Sequence, residues 1–141
     1  MLQVVGSVVD PTYLHHLKMA ADGEPVEFAT EVASMVPYYQ QADLVLFPTL
    51  MAEGFGYAAI EAMACARPVV WSEQPAIREA TGGIGVPTVP TAEALMGVIN
   101  DYVAHPRRFS HHGRKGRAFV EERYEWSRVW RRYEEALSVC L

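Results

Sequence analysis

Two glutamates, Glu53 and Glu61, lie in a stretch that is otherwise almost uncharged, EGFGYAAIEAMACARPVVW. The first precedes a Gly-Phe-Gly turn, and the second follows eight positions later, within a pattern typical of a helix. Burying a carboxylate is costly unless it is hydrogen-bonded or paired with a cation. The two side chains are therefore either solvated or held in place for a purpose.

Gly54, Phe55 and Gly56 separate the glutamates and lead into the predicted helix. Glycine lets the backbone approach a ligand closely, and the free N–H groups at a helix start attract anions such as phosphate. Glu61 would lie about 7.5 Å further along the helix axis than Gly56. A nucleotide sugar, with sugar rings on both sides of a diphosphate, fits this order of carboxylate, anion site and carboxylate.

A plainer interpretation stays open at this point. The glycines could only shape a turn, with Glu53 solvated and Glu61 on the wet face of an amphipathic helix. The neighbours of Glu61 on such a helix are Tyr57, Ala58, Ala64 and Cys65. Because these residues make a poor solvent face, they argue against that interpretation.

Short apolar runs alternate with longer amphipathic stretches, a pattern typical of βα units around a mostly parallel sheet. We predict strands at residues 2–6, 26–29, 43–48, 68–72 and 84–89. Helices are predicted at about 11–21, 34–41, 56–65, 74–80 and 91–104, with Pro106 opening another and Ser127 capping the last. The predicted fold is one α/β domain over residues 1–141, doubly wound and Rossmann-like, with helices on both faces of the sheet and C-terminal helices.

Ligands of doubly wound sheets bind beyond the carboxyl ends of the strands. The segment PTLMAEGFG follows the third predicted strand and therefore lies on this candidate functional edge.

Composition excludes several classes of protein. Half of the 141 residues are hydrophobic and the net charge is −5, which argues against nucleic-acid binding. Two cysteines, Cys65 and Cys140, are too few for a disulfide framework or a zinc site, and we predict no metal. No signal peptide or apolar run of about 20 residues occurs, so we expect a soluble, cytoplasmic protein.

The run ADLVLFPTLMAEGFGYAAIEAMACARPVV, residues 42–70, resembles the nucleotide-binding domain of the retaining glycosyltransferases called group 1 or family 4. These enzymes have the two-domain B-type architecture, and EGFGYAAIE resembles their E-x7-E motif. The similarity continues through SEQPAIREATGGIGV and ends at YEWSRVWRRYEEAL, which resembles the family's terminal Tyr-x-Trp helix. It covers nearly the whole chain.

The resemblance implies a role for each residue of the motif. In the family, the first glutamate contacts the donor sugar, the Gly-Phe-Gly amides approach the diphosphate, and the second glutamate binds the ribose. These roles fall on Glu53 as the catalytic residue, on Gly54, Phe55 and Gly56, and on Glu61. The nucleobase usually rests against the loop after the strand matched here by VEFA, which implicates Thr30, Glu31 and Val32.

The chain also departs from the family. Members often have Gly where Thr30 and Ala66 stand. Their nucleotide domain normally starts with a further βα unit that carries an Arg and a Lys for the diphosphate, and an acceptor-binding domain precedes it. Our chain begins at what resembles the second strand of the nucleotide domain.

The resemblance implies the donor-binding half of a retaining glycosyltransferase that transfers a sugar from a UDP-, GDP- or ADP-sugar to an acceptor hydroxyl. We expect it to be incomplete as a catalyst alone, without a tightly bound cofactor, and to need an acceptor-binding domain or partner chain. The aromatic run Tyr124, Trp126, Trp130 and Tyr133 is expected to pack in the core. In the family this helix returns toward the N-terminal domain, and aromatic side chains that lack this contact would give a sticky surface, a homodimer or modest stability. Two alternatives stay open: a non-catalytic nucleotide or nucleotide-sugar module or partner subunit, and a remnant that keeps the fold but no ligand.

Overall fold

The computed structural model describes residues 1–138 of the 141, so Cys140 lies outside the described part. The elements in chain order are β1 (Leu2–Gly6), α1 (Pro11–Ala20), β2 (Val26–Thr30), α2 (Val36–Gln41), β3 (Val45–Phe47), α3 (Tyr57–Ala64), β4 (Val69–Ser72), α4 (Pro75–Thr81), β5 (Val86–Thr88), α5 (Ala92–Ala104), α6 (Pro106–Tyr124) and α7 (Trp126–Ser138). Every predicted strand and helix is present. The α/β class is confirmed, and within the described residues only helices follow β5.

The chain contains two compact units, Met1–Tyr38 and Tyr39–Leu141. The single domain over residues 1–141 stays a prediction. In the N-terminal unit, β1 pairs with β2 in parallel, from Leu2 opposite Val26 to Gly6 opposite Thr30. The Asp10 carboxylate caps α1 by accepting hydrogen bonds from the backbone N–H groups of its first turn. The N-terminal unit is thus a βαβ unit with both strand ends at one edge.

The C-terminal unit contains a three-stranded parallel sheet in the order β3-β4-β5. Its central strand β4 is buried along its whole length, as its continuous apolar sequence predicts. The Trp71 indole donates a hydrogen bond to the Ile84 carbonyl at 3.0 Å, which ties β4 to the turn before β5. The fully buried large side chains of this core include Met63, Val69, Val70, Trp71, Ile77 and Phe109.

Helix α6 packs closely on α3 because two of its residues are glycines. A Cβ atom on Gly113 would collide with the backbone carbonyl oxygen of Ala66, and one on Gly116 would lie 3.0 Å from Cγ of Met63. Arg117 of α6 donates a hydrogen bond to the Ala64 carbonyl at the end of α3. The position of α3, which carries the second glutamate of the motif, therefore depends on this contact.

The predicted cap of the last helix is wrong, because α7 begins at Trp126, one residue before Ser127. The capping group is Glu125, whose carboxylate accepts hydrogen bonds from the backbone N–H groups of Ser127 at 3.2 Å and Arg128 at 3.3 Å. The Ser127 hydroxyl donates to the same carboxylate. These hydrogen bonds, led by the one from the hydroxyl, hold the pKa of Glu125 below its usual value.

Replacing Gly113 by alanine should lower the free energy of unfolding by about 1–3 kcal/mol, because the added methyl collides with the backbone of Ala66 in the turn after α3 and forces α6 away from it. Gly97→Ala in α5 is the matched control, since a Cβ atom there meets nothing within 4 Å. That variant should be more stable by about 0.5–1 kcal/mol, because alanine favours a helix over glycine. Urea denaturation of both variants measures the difference, and equal stabilities would contradict this account of the helix contact.

Candidate functional site

The loop between β3 and α3 leaves the carboxyl end of its strand and carries Glu53. Its conformation depends on Gln74, which follows the neighbouring strand β4. The Gln74 side-chain NH₂ donates to the Met51 carbonyl at 2.9 Å, and its oxygen accepts from the Glu53 N–H at 2.9 Å. The backbone at Glu53 is therefore held by a side chain 21 positions away.

From the sequence, Gln74 is predicted only to start a helix, and no role in the site is predicted for it. The available signal was its position, because it follows a parallel strand adjacent to β3 and lies at the same edge of the sheet. A buried or half-buried amide at such an edge can both donate and accept, and so can fix a neighbouring loop.

The two glycines of the turn differ in what the fold requires of them. Gly56 has φ +85°, in the left-handed region, and a Cβ atom there would lie 3.3 Å from Cγ1 of Ile77. Gly54 has no positive φ, and a Cβ atom on it meets nothing within 4 Å. The fold thus explains the glycine at position 56, while nothing among the described residues explains the one at position 54.

Helix α3 starts directly after this turn, with Gly56 as its N-cap residue and no capping side chain among the described residues. Its first N–H groups have no partner within the helix. They lie at the positive end of the helix dipole. This end of α3 has the properties of an anion site.

The Phe55 side chain packs within the protein. Its ring centroid lies 4.8 Å from that of Tyr57 and 5.6 Å from that of Tyr124 at the end of α6. The Tyr124 hydroxyl in turn donates to the Ala80 carbonyl at 2.8 Å. The aromatic side chain of Phe55 therefore fixes the turn. The backbone N–H of Phe55 is then the donor that a ligand could contact.

Glu61 is exposed on α3, whereas the opposite face of the helix is buried through Ala59, Ile60, Ala62 and Met63. Among residues 1–138, its carboxylate has one hydrogen-bond partner: the hydroxyl of Tyr39 donates to Oε2 at 3.1 Å. Tyr39 is only 5% exposed. Burial raises the pKa of the Tyr39 phenol, and the hydrogen bond to Glu61 raises it further, so the phenol stays a neutral donor.

The other predicted site residues, Thr30, Glu31 and Val32, lie in the N-terminal unit. Thr30 ends β2 and is exposed, and Glu31 has φ +53°. Oε1 of Glu31 accepts a hydrogen bond from the Val8 N–H at 2.7 Å, which ties the segments after the two strands together. An open groove of about 540 Å³ at these strand ends includes Gly6, Ser7 and Thr30 in its lining.

The structure thus places Glu53, Gly54, Phe55, Gly56 and Glu61 around one turn and one helix of the C-terminal unit. Among residues 1–138, no group of three His, Cys, Asp or Glu side chains could hold a metal ion. In the same part of the chain, no helix is both long and apolar enough to span a membrane. The chemistry available here is hydrogen bonding from amides and to carboxylates.

The family model described as Glycosyl transferases group 1 matches residues 1–104. The lipopolysaccharide 1,2-N-acetylglucosaminetransferase of Salmonella typhimurium is 29% identical over 104 residues, which cover 71% of this chain and 27% of that protein. The chain therefore spans about a quarter of the length of this curated relative.

Solved structures show the same fold. HepE of Anabaena in complex with UDP gives a TM-score of 0.88 at 23% identity, covering 97% of this chain and 40% of that one. HepE with UDP-glucose gives 0.85 at 22% identity. Sucrose-phosphate synthase from Thermosynechococcus elongatus gives 0.79 at 26% identity, covering 98% of this chain and 39% of that one. The predicted Rossmann-like fold, a parallel α/β arrangement with helices on both sides, is confirmed by these likenesses.

Removing the side-chain amide of Gln74 should free the loop at Glu53. In Gln74→Ala, we expect the Glu53 amide proton to exchange up to about 10-fold faster, because a net hydrogen bond is worth roughly 1 kcal/mol. Gln40→Ala, at an exposed position of α2, is the matched control. Amide hydrogen exchange followed by NMR measures both, and an unchanged Glu53 rate in Gln74→Ala would show that the loop does not depend on this side chain.

Proposed function

The chain belongs to the group 1 glycosyl transferases, and we propose that it binds the nucleotide-sugar donor from which a sugar passes to an acceptor hydroxyl. The observation that carries this proposal is Gly54, a glycine with open space around it beside an uncapped helix start. A backbone without a side chain at that point suits the close approach of a diphosphate. The HepE structures, solved with UDP and with UDP-glucose, favour a UDP-sugar over a GDP- or ADP-sugar.

Each site residue then has a proposed role. The backbone N–H groups of Gly54, Phe55 and Gly56 bind the diphosphate, Glu53 contacts the sugar as the catalytic residue, and Glu61 accepts hydrogen bonds from the ribose. For the nucleobase we propose Thr30, Glu31 and Val32. Because Glu31 already accepts from the Val8 N–H, its contribution is to shape the loop, while its neighbours supply the contacts.

We propose that transfer retains the anomeric configuration, as the resemblance implies. The acceptor oxygen forms a bond to the anomeric carbon while the bond from that carbon to the donor phosphate breaks. The departing phosphate oxygen takes the proton of the acceptor hydroxyl, so that no metal and no dedicated protein base is needed. The protein supplies position and hydrogen-bond donors for the developing charge on the phosphate.

The chain spans only 40% of HepE and 27% of the Salmonella typhimurium relative. We therefore propose that the acceptor site lies in a further domain or partner chain, and that residues 1–141 alone bind the donor in the cytoplasm without turning it over. The second candidate is a non-catalytic nucleotide or nucleotide-sugar module or partner subunit. Steady sugar transfer by the isolated chain would contradict the proposal that residues 1–141 are incomplete as a catalyst.

The proposed homodimer depends on the apolar face of α7. Trp126, Trp130, Tyr133 and Leu137 are between 52% and 70% exposed. Tyr124 differs from them, because it is half-buried and packs on Phe55 and Phe119. Self-association through α7 stays a prediction, and sedimentation of the chain at several concentrations tests it.

Calorimetric titration with UDP, GDP, ADP and their sugars tests donor binding. Saturable binding is expected for the wild type. Glu61→Ala should weaken it about 10- to 100-fold through the lost charged hydrogen bond. Gly54→Ala should weaken it while leaving the unfolding temperature unchanged, whereas Gly97→Ala should bind as tightly as the wild type. Absence of saturable binding would identify a remnant without a ligand, and normal binding by Gly54→Ala would contradict the proposed diphosphate site.

A further inference from the structure

We propose that Tyr39 is a positioning residue, which fixes the Glu61 carboxylate so that it can distinguish a ribose from a deoxyribose. This role rests on the proposed function. The observation behind it is the hydrogen bond from the Tyr39 hydroxyl to Oε2 of Glu61 at 3.1 Å. The donor is 5% exposed, while the acceptor lies on the exposed face of α3.

An exposed glutamate has three rotatable side-chain bonds and samples many rotamers unless a partner holds it. Within the described residues, none of the ion pairs includes Glu61. The Tyr39 phenol is thus the group that restrains the carboxylate. Because the aromatic side chain is buried in the fold, its hydroxyl has a fixed position and can restrain a flexible partner.

The hydrogen bond also decides which part of the carboxylate a ligand can use. A carboxylate has two oxygens and about four acceptor positions, and the phenol occupies one of those on Oε2. Oε1 has no protein donor among residues 1–138 and stays available for a ribose hydroxyl. Fixing Oε1 before the ligand arrives removes part of the entropy cost of binding.

A competing explanation reverses the roles of the two residues, so that Tyr39 depends on Glu61. Buried hydroxyls need a hydrogen-bond partner, and Glu61 could serve only to satisfy Tyr39. In that case, loss of the hydroxyl would alter stability but would not alter the preference for ribose. The two explanations therefore differ in a binding ratio.

The ratio to measure is the Kd for a deoxy nucleotide divided by the Kd for UDP, with 2′-deoxy-UDP and 3′-deoxy-UDP as the two probes. We expect the larger ratio to be about 10 for the wild type and near 1 for Glu61→Ala. Tyr39→Phe, which keeps the ring, should lower it to about 2 by weakening UDP binding alone. In the Glu61→Ala background, Tyr39→Phe should have no further effect on UDP affinity.

Tyr102→Phe is the matched control, because it removes the hydroxyl of a half-buried tyrosine on α5 and should keep the wild-type ratio. If Tyr39→Phe fails to fold, Tyr39→Leu also removes the hydroxyl and has a side chain of different volume. The Kd ratio is then again expected to fall to about 2. A wild-type ratio in the folded variant would overturn the positioning role while leaving the proposed function intact. Absence of nucleotide binding by the wild type would overturn both.

Discussion

The left-handed backbone of Gly56 is the constraint on which the rest of the site depends. The chain leaves β3, turns sharply and starts α3, and at that point a Cβ atom on residue 56 would lie only 3.3 Å from Cγ1 of Ile77. Only glycine adopts φ +85° without strain. The turn fixes where α3 begins, the start of α3 fixes where its free N–H groups lie, and the helix then sets the position of Glu61.

Three long-range contacts hold this local geometry in place. Gln74 fixes the backbone at Glu53, Tyr124 packs against Phe55, and Tyr39 donates to Glu61. Each of the three residues lies outside the motif. The geometry of this nine-residue motif therefore depends on separate elements of the C-terminal unit. The contact of Gly113 in α6 with the backbone of Ala66, just after α3, adds to this support.

Much of this arrangement could be predicted from the sequence. The strands follow from short apolar runs between turn residues. Their observed boundaries differ from the predicted ones by at most two residues. The two glutamates and the glycine turn were visible as an anomaly of charge in an apolar stretch. The role of Tyr39 could not be predicted, because its partner lies 22 positions away and nothing local marks the pairing. For Gln74, 21 positions from Glu53, the sequence offered only its place after a neighbouring parallel strand, which does not identify the hydrogen bond. The predicted cap of α7 is wrong for a local reason. Glu125 and Ser127 can both accept hydrogen bonds at a helix start, and the longer side chain of Glu125 reaches two backbone N–H groups.

Titrating UDP into ¹⁵N-labelled chain and following the backbone amide signals tests whether the Gly-Phe-Gly turn binds the diphosphate of a nucleotide sugar. We expect saturable shifts that are largest at Gly54, Phe55 and Gly56, because their N–H groups are proposed to contact the phosphates. Saturable binding with unshifted signals at these three amides, and the largest shifts elsewhere in the chain, would contradict it.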